Sequence, residues 1–216
     1  MTLLADVQAV HEDADLLVLQ KPAGLLCVPG RGPDKQDCLS ARAQQHWPGA
    51  LIVHRLDQAT SGLVLMARHI DAQRRLSHAF AERQVHKRYQ AVVWGLLAAQ
   101  EGAWNEINLP IAADWERRPL RIIDQTHGKP SLTRWRLLGH HPATGTSRIE
   151  LEPVTGRTHQ LRVHMAAVGH PILGDALYAP AEVQALAPRL LLHASHLAFA
   201  HPSTGEPLAL AWAADF

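Results

Sequence analysis

The sequence predicts an α+β chain with a mostly antiparallel sheet, and three observations carry that reading. Short β-rich runs recur along the whole chain, neither alternating strictly with helices nor gathering into one block. At 216 residues, 47% hydrophobic and 19% charged, the chain can bury a real core, as one domain over 1–216 with two lobes. The longest apolar run, residues 91–99, is nine residues long and contains Gly95, far short of the ~20 that a membrane span needs.

The elements follow in order. Val7–Val10 and Leu16–Gln20 flank the turn-prone Glu12-Asp13-Ala14-Asp15 and predict an opening strand pair, which Lys21-Pro22-Ala23-Gly24 breaks. Asp37 is placed to cap a helix running to Trp47, ended by Pro48-Gly49. Leu51-Ile52-Val53 is a short strand that delivers the chain into a polar loop, and Gly62–Ala67 carries it back. Ala72, Leu76, Ala79, Phe80 and Arg83 share a helical face, which predicts a helix over 71–83 with Arg74, Arg75 and Arg83 open to solvent. Tyr89–Trp94 is a strand stopped by Gly95. Residues 111–131 are the least regular stretch and predict basic, aromatic surface loops, a makeup suited to nucleic acid. Strands follow at 132–138 and 147–152. Thr158 is placed to cap a helix whose Leu161, Met165 and Val168 share a face before Gly169-His170-Pro171. Pro180 opens a short helix closed by Pro188. Leu197–Ala200 and Leu208–Leu210 predict a terminal hairpin.

A formal charge of +1 excludes a polybasic tail. The balance hides an uneven distribution, since arginine outnumbers lysine 17 to 4, and arginine suits bidentate phosphate contact. Residues 68–90 carry a net +4 and residues 117–136 a net +5, against −3 for residues 1–30 and −3 from 163 onward. The basic side chains of these segments, Arg74, Arg75, Arg83, Lys87, Arg88 and the 117–136 cluster including Arg117, Arg118 and Lys129, keep a nucleic-acid partner open, and runs of this kind are equally commonly just solvated faces. The amino terminus reaches Asp6 before any basic residue, the wrong order for a secretory signal, and predicts a cytoplasmic protein. Cys27 and Cys38, with no CxxC, read as two reduced thiols.

The chemistry-bearing segment is His54-Arg55-Leu56-Asp57-Gln58-Ala59-Thr60-Ser61-Gly62, a polar loop between two apolar strands. A carboxylate such as Asp57 can serve as nucleophile or base without an activating partner, and the same residues can equally build a turn. Fifteen histidines invite a metal site, but His159 and His164 are five apart, His140 and His141 point apart on a strand, and no cysteine has ligand spacing to a histidine. No metal and no cofactor are expected. Thr60 and Ser61 lack the GxSxG context of a nucleophile and are expected to shape the turn, with His54 structural.

The nonapeptide 54–62 matches HRLDxxTSG, the signature of the RluA family of RNA pseudouridine synthases. The resemblance continues in order through Lys21-Pro22-Ala23-Gly24, the strand Lys87-Arg88-Tyr89 with Ala91 and Gly95, the run Gly156-Arg157-Thr158-His159-Gln160-Leu161-Arg162-Val163-His164, and Gly169-His170-Pro171-Ile172-Leu173-Gly174-Asp175 with Tyr178. Leu192-His193-Ala194 and His201-Pro202 complete it. The resemblance implies the pseudouridine synthase fold, a bent mixed sheet flanked by helices and loops with a central RNA-binding cleft. It implies Asp57 as the catalytic carboxylate, Arg162 as the arginine that pairs with it, and Tyr89 as the group against the target base and the proton acceptor at C5. It also implies Arg55 as the side chain that enters the RNA when the nucleotide is flipped out, and leaves Tyr178 a structural role. Leu161 is a candidate lining of the base pocket, with core packing as its alternative.

The chain resembles most the compact subgroup, which has no S4 RNA-binding domain and modifies a uridine in a tRNA anticodon stem-loop and one in 23S rRNA. The expected partner is a structured RNA stem-loop, recognised largely by shape, by a protein expected to be a monomer. With an RNA partner implied, the two basic segments are expected to border one cleft that holds Asp57, with the acidic ends of the chain elsewhere. The competing readings are an inert RNA-binding protein on the same scaffold and an Asp57-dependent small-molecule hydrolase.

Overall fold

The computed structural model describes residues 7–216, which form two compact units, one of residues up to His86 together with Ala194–Ala214, the other of Lys87–His193 with Asp215–Phe216. The chain is of the α+β class, with helices against antiparallel strands.

In the first unit β1 (Gln8–Glu12) pairs with β2 (Leu16–Lys21), and β2 pairs antiparallel with β4 (Ser61–Ala67), from Leu16 opposite Ala67 to Lys21 opposite Gly62. Every residue of β4 is buried, so this strand is covered on both faces. A short β3 (Leu51–Ile52) also pairs with β4, and β11 (Leu192–Ala200) forms the terminal hairpin with β12 (Pro207–Ala211). Leu16, Val18, Leu63, Leu65, Leu197 and Phe199 close over Ala72 and Leu76 of α2 (Ile70–Ala81). Each such side chain contributes about 1.5–3 kcal/mol by leaving water. Gly62 adopts φ +116°, and a Cβ there would fall 2.3 Å from the carbonyl oxygen of Ala194. The glycine closing the 54–62 segment is therefore demanded by backbone approach.

In the second unit β5 (His86–Trp94), β10 (Thr146–Pro153), β9 (Leu132–His141) and β6 (Trp104–Asn108) pair in that order, all antiparallel. α3 (Gln160–Ala167) buries every residue from Gln160 to Met165, and α4 (Ala181–Gln184) is a single turn.

Several boundaries differ from the sequence reading. Asp37 does not cap α1 (Leu39–His46): its carboxylate is held by Arg42, and the amides of Leu39 and Ser40 instead donate to the carbonyls of Leu26 and Cys27. α2 begins at Ile70 because the ring Nδ1 of His69 accepts the amide of Ala72. It ends at Ala81, which leaves Arg83 beyond the helix with φ +58°. Thr158 does not cap α3; His159 takes a left-handed conformation ahead of it, and Val168 lies outside the helix, 40% exposed. α4 stops at Gln184 rather than running to Pro188. The 111–131 stretch, expected as loops, contains a hairpin of β7 (Ile111–Ala113) and β8 (Arg121–Ile123) whose tip spans 114–120. Three-residue strands are too short for an alternation signal to be seen in sequence.

The β1–β2 turn is tied to the β11–β12 turn. Asp13 receives the amides of Asp15 and Leu16 on Oδ1, and the rings of His11 and His201 lie 2.7 and 3.3 Å from its Oδ2. Asp15 is held by His69 and by the hydroxyl of Ser203. Asp13, Asp15 and His201 are close enough to share an ion, but hydrogen bonds among protein groups already account for their arrangement.

Burial pushes the Asp13 carboxyl up, but these hydrogen bonds and the nearby His201 together bring it down to about 2. A carboxyl lowered in the folded state stabilises it above the unfolded value near 4, and that contribution is lost as pH falls through about 2. Asp13→Asn is expected to cost about 1–2 kcal/mol at pH 7, a gap that closes on acidification to about pH 2. Urea denaturation of both proteins across that range measures it; a gap independent of pH would refute this account.

Candidate functional site

β2 ends at Lys21 and β4 starts at Ser61, so two adjacent antiparallel strands bring the 21–27 segment beside the 54–62 loop. Lys21 has no exposed surface. Its ammonium donates to the carbonyls of Pro22, Leu25 and Gln58 at 2.8, 2.7 and 3.0 Å. Burial lowers its pKa to about 8, against the opposing influence of Cys27 and Asp57. An ammonium offers three donors to three carbonyls, so the charged form completes the set. The amide of Gly24 also donates to the carbonyl of Gln58, and the Gln58 side-chain amide returns a bond to the carbonyl of Gly24. Before Asp57, the amide of Leu56 donates to Sγ of Cys27 at 3.2 Å. After it, the amide of Thr60 donates to the carbonyl of Asp57, which makes 57–60 a tight turn.

Asp57 is half-buried and Arg55 is exposed. His54 serves structure, as expected: its Nε2 accepts the amide of Leu65, and its ring stacks on Phe80 at 4.4 Å between centroids. Thr60 and Ser61 are buried. The sequence reading assigned no role to Lys21 or Cys27, although Lys21 opens the Lys21-Pro22-Ala23-Gly24 segment that belongs to the resemblance.

In the second unit Tyr89 stands on β5 opposite Leu151 of β10 and is half-buried. Arg162 on α3 is 4% exposed and bonded by Nε and Nη2 to the two oxygens of Asp175, at 2.8 and 2.5 Å. Asp175 also accepts the amides of Leu177 and Tyr178. The Tyr178 ring lies 5.2 Å from the Arg162 guanidinium carbon, and its hydroxyl bonds the amide of Arg121 and Nδ1 of His159. The structural role expected for Tyr178 is thus visible. Asp175 is the partner that sequence reasoning passed over, hidden 13 residues downstream in what looked like a turn.

The polar residues around Arg162 explain their own presence. The Gln160 amide nitrogen donates to the Leu132 carbonyl and to Thr133, while its oxygen accepts from Thr155 and the Arg157 amide. His164 sits between Thr133 Oγ1 and the Leu109 carbonyl, and burial holds its pKa down. His159 and His164 therefore have separate partners. Leu161 is 6% exposed.

Arg74, Arg75, Arg83, Arg117, Arg118 and Lys129 are all exposed, and they differ in the protein groups that they already touch. Arg74 lies 3.6 Å from Asp71, Arg75 donates to the carbonyl of Pro202, and Arg83 is exposed. Burial lowers the Lys87 pKa, and Arg88 bonds Glu152 and lies 3.8 Å from Glu150. Arg117 is held by Asp114, Arg134 by Glu152 and Arg136 by Glu150. The guanidiniums of Arg134 and Arg136 also sit within 5 Å of the Trp104 ring centre. Of the 117–136 run, Arg118 stacks at 4.0 Å on Trp115, which is 72% exposed, and Lys129 is exposed.

Comparison with known proteins agrees with this picture. The model of the RNA pseudouridylate synthase family matches residues 15–167. The dual-specificity RNA pseudouridine synthase RluA of Pasteurella multocida (strain Pm70) is 49% identical over 197 residues, covering 91% of this chain and 88% of the relative. The protein of the same name from Escherichia coli (strain K12) is 44% identical over 207 residues, covering 96% and 93%. Among solved structures, human RNA pseudouridylate synthase domain containing 1 superposes with a TM-score of 0.79 at 30% identity, covering 96% of this chain and 83% of that one.

Proposed function

The chain belongs to the RNA pseudouridylate synthase family, and from that premise we propose that it isomerises one uridine to pseudouridine in a tRNA anticodon stem-loop, a 23S rRNA stem-loop or both. The observation that carries the assignment is Asp57, a half-buried carboxylate on a turn whose neighbours on both sides are hydrogen-bonded to the 21–27 segment. A catalytic carboxylate has to be held at a set position against C1′ or C2′ of a flipped-out nucleotide, and a clamped turn between two strands supplies that.

The reaction balances without a co-substrate. The bond from N1 to C1′ breaks, the uracil turns while bound, C5 joins C1′, and the proton displaced from C5 is matched by one gained at N1. Asp57 assists the first cleavage, Tyr89 accepts the proton at C5, and Arg162 has the role that the resemblance implies, keeping Asp57 ionised and oriented. Arg55 supports the opened RNA, and the exposed Arg74, Arg75, Arg83, Arg117, Arg118 and Lys129 are the candidates for phosphate contact.

Incubation with unmodified tRNA and 23S rRNA transcripts, followed by mapping of pseudouridines, is expected to find a single modified uridine in a stem-loop of either or both. Detection of none on any RNA, with binding intact, would leave the inert RNA-binding reading instead. Turnover of a small substrate without RNA would favour the hydrolase.

A further inference from the structure

We propose that Cys27 is a positioning residue for Asp57, acting through the hydrogen bond that its sulfur accepts from the amide of Leu56. This rests on reading Asp57 as the catalytic carboxylate. The sulfur is 3.2 Å from the Leu56 nitrogen; Cys27 is 3% exposed and Leu56 7%. No water reaches so enclosed an amide to replace a lost acceptor, so without the sulfur it stays unsatisfied unless the loop shifts.

The bond matters because of what holds the other side of Asp57. The Gln58 carbonyl is fixed by Lys21 at 3.0 Å and by the Gly24 amide at 2.8 Å. Both neighbours of Asp57 are therefore tied to one segment seven residues long, 21–27, whose first residue is the last of β2. The Thr60 amide on the Asp57 carbonyl and the Gln58 ties hold the chain on the far side of Asp57, and the Leu56–Cys27 bond is the tie that holds the near side to the same segment. Burial raises the Cys27 thiol pKa, which keeps the sulfur a neutral acceptor beside a carboxylate.

Cys27→Ser and Cys27→Ala remove the same sulfur and differ by one oxygen, which only serine can offer to the Leu56 amide. Three quantities are measured for each on the full chain: kcat on the RNA that the parent modifies, dissociation constant for that RNA, and hydrogen exchange of the Leu56 amide. Displacement of a reacting group by a fraction of an ångström costs on the order of tenfold in rate. Alanine is expected to lower kcat about tenfold and to speed Leu56 exchange by a similar factor, with RNA affinity within about twofold of the parent. Serine is expected to restore the greater part of both. Equal behaviour of serine and alanine, or unchanged Leu56 exchange in the alanine variant, overturns the proposal. Failure of the parent to isomerise any RNA overturns the functional reading and the positioning role with it, while Leu56 exchange still decides the hydrogen bond.

Discussion

Asp57→Asn is expected to lower the single-turnover rate of pseudouridine formation by at least about 10³-fold, or about 4 kcal/mol of barrier, with RNA affinity within about threefold of the parent. The substitution is isosteric, and the ties that hold the turn use main-chain atoms of residues 56–58 and 60 with the side chains of Lys21, Cys27 and Gln58, so the loop keeps its shape. What changes is the charge and nucleophilicity of one group. Affinity survives because binding comes mainly from phosphate contacts and from the shape of the stem-loop. Rate and binding measured on one RNA separate the two effects. A variant that still isomerises uridine at a tenth of the parental rate would remove Asp57 from the chemistry.

Asp175→Ala is expected to lower folding stability by about 3–5 kcal/mol, read as a fall in the urea midpoint. Asp175 is 1% exposed and accepts four hydrogen bonds, two from Arg162 and one each from the amides of Leu177 and Tyr178. Its removal takes a bidentate carboxylate partner from a buried guanidinium and two amide bonds from the turn that follows Gly174. At Gly174 an added Cβ would fall 1.9 Å from the Arg189 carbonyl oxygen, so the backbone of this turn runs hard against that segment. A loss below about 1 kcal/mol would mean that the pair is not structural.

How much of this was legible in sequence differs from residue to residue. Asp57 stands out as a candidate in sequence, because its neighbours are part of one contiguous motif between two apolar strands. His54 as a structural residue and Tyr178 as a pin were legible for the same reason. Asp37 and Thr158 were misread as caps because a polar side chain at the right offset looks the same whether the helix needs it or not. The amides at the start of α1 are satisfied by the carbonyls of Leu26 and Cys27, a dozen residues upstream. The +5 of residues 117–136 leaves out their partners, because charge counted along one segment ignores what another brings. Arg134 and Arg136 face Glu152 and Glu150 only because β9 pairs with β10 in that register.

By itself the sequence determined the α+β class, the strands other than β6, β7 and β8, the catalytic carboxylate candidate and the family, because residue types and their spacing within a segment are local properties. Only the tertiary structure decided what holds that carboxylate and which arginines are spent on glutamates. Lys21 reaches Gln58 across 37 residues and Gln160 reaches Leu132 across 28. Bonds of that kind exist only once strand register has placed two distant segments together, and no period in the chain reports them.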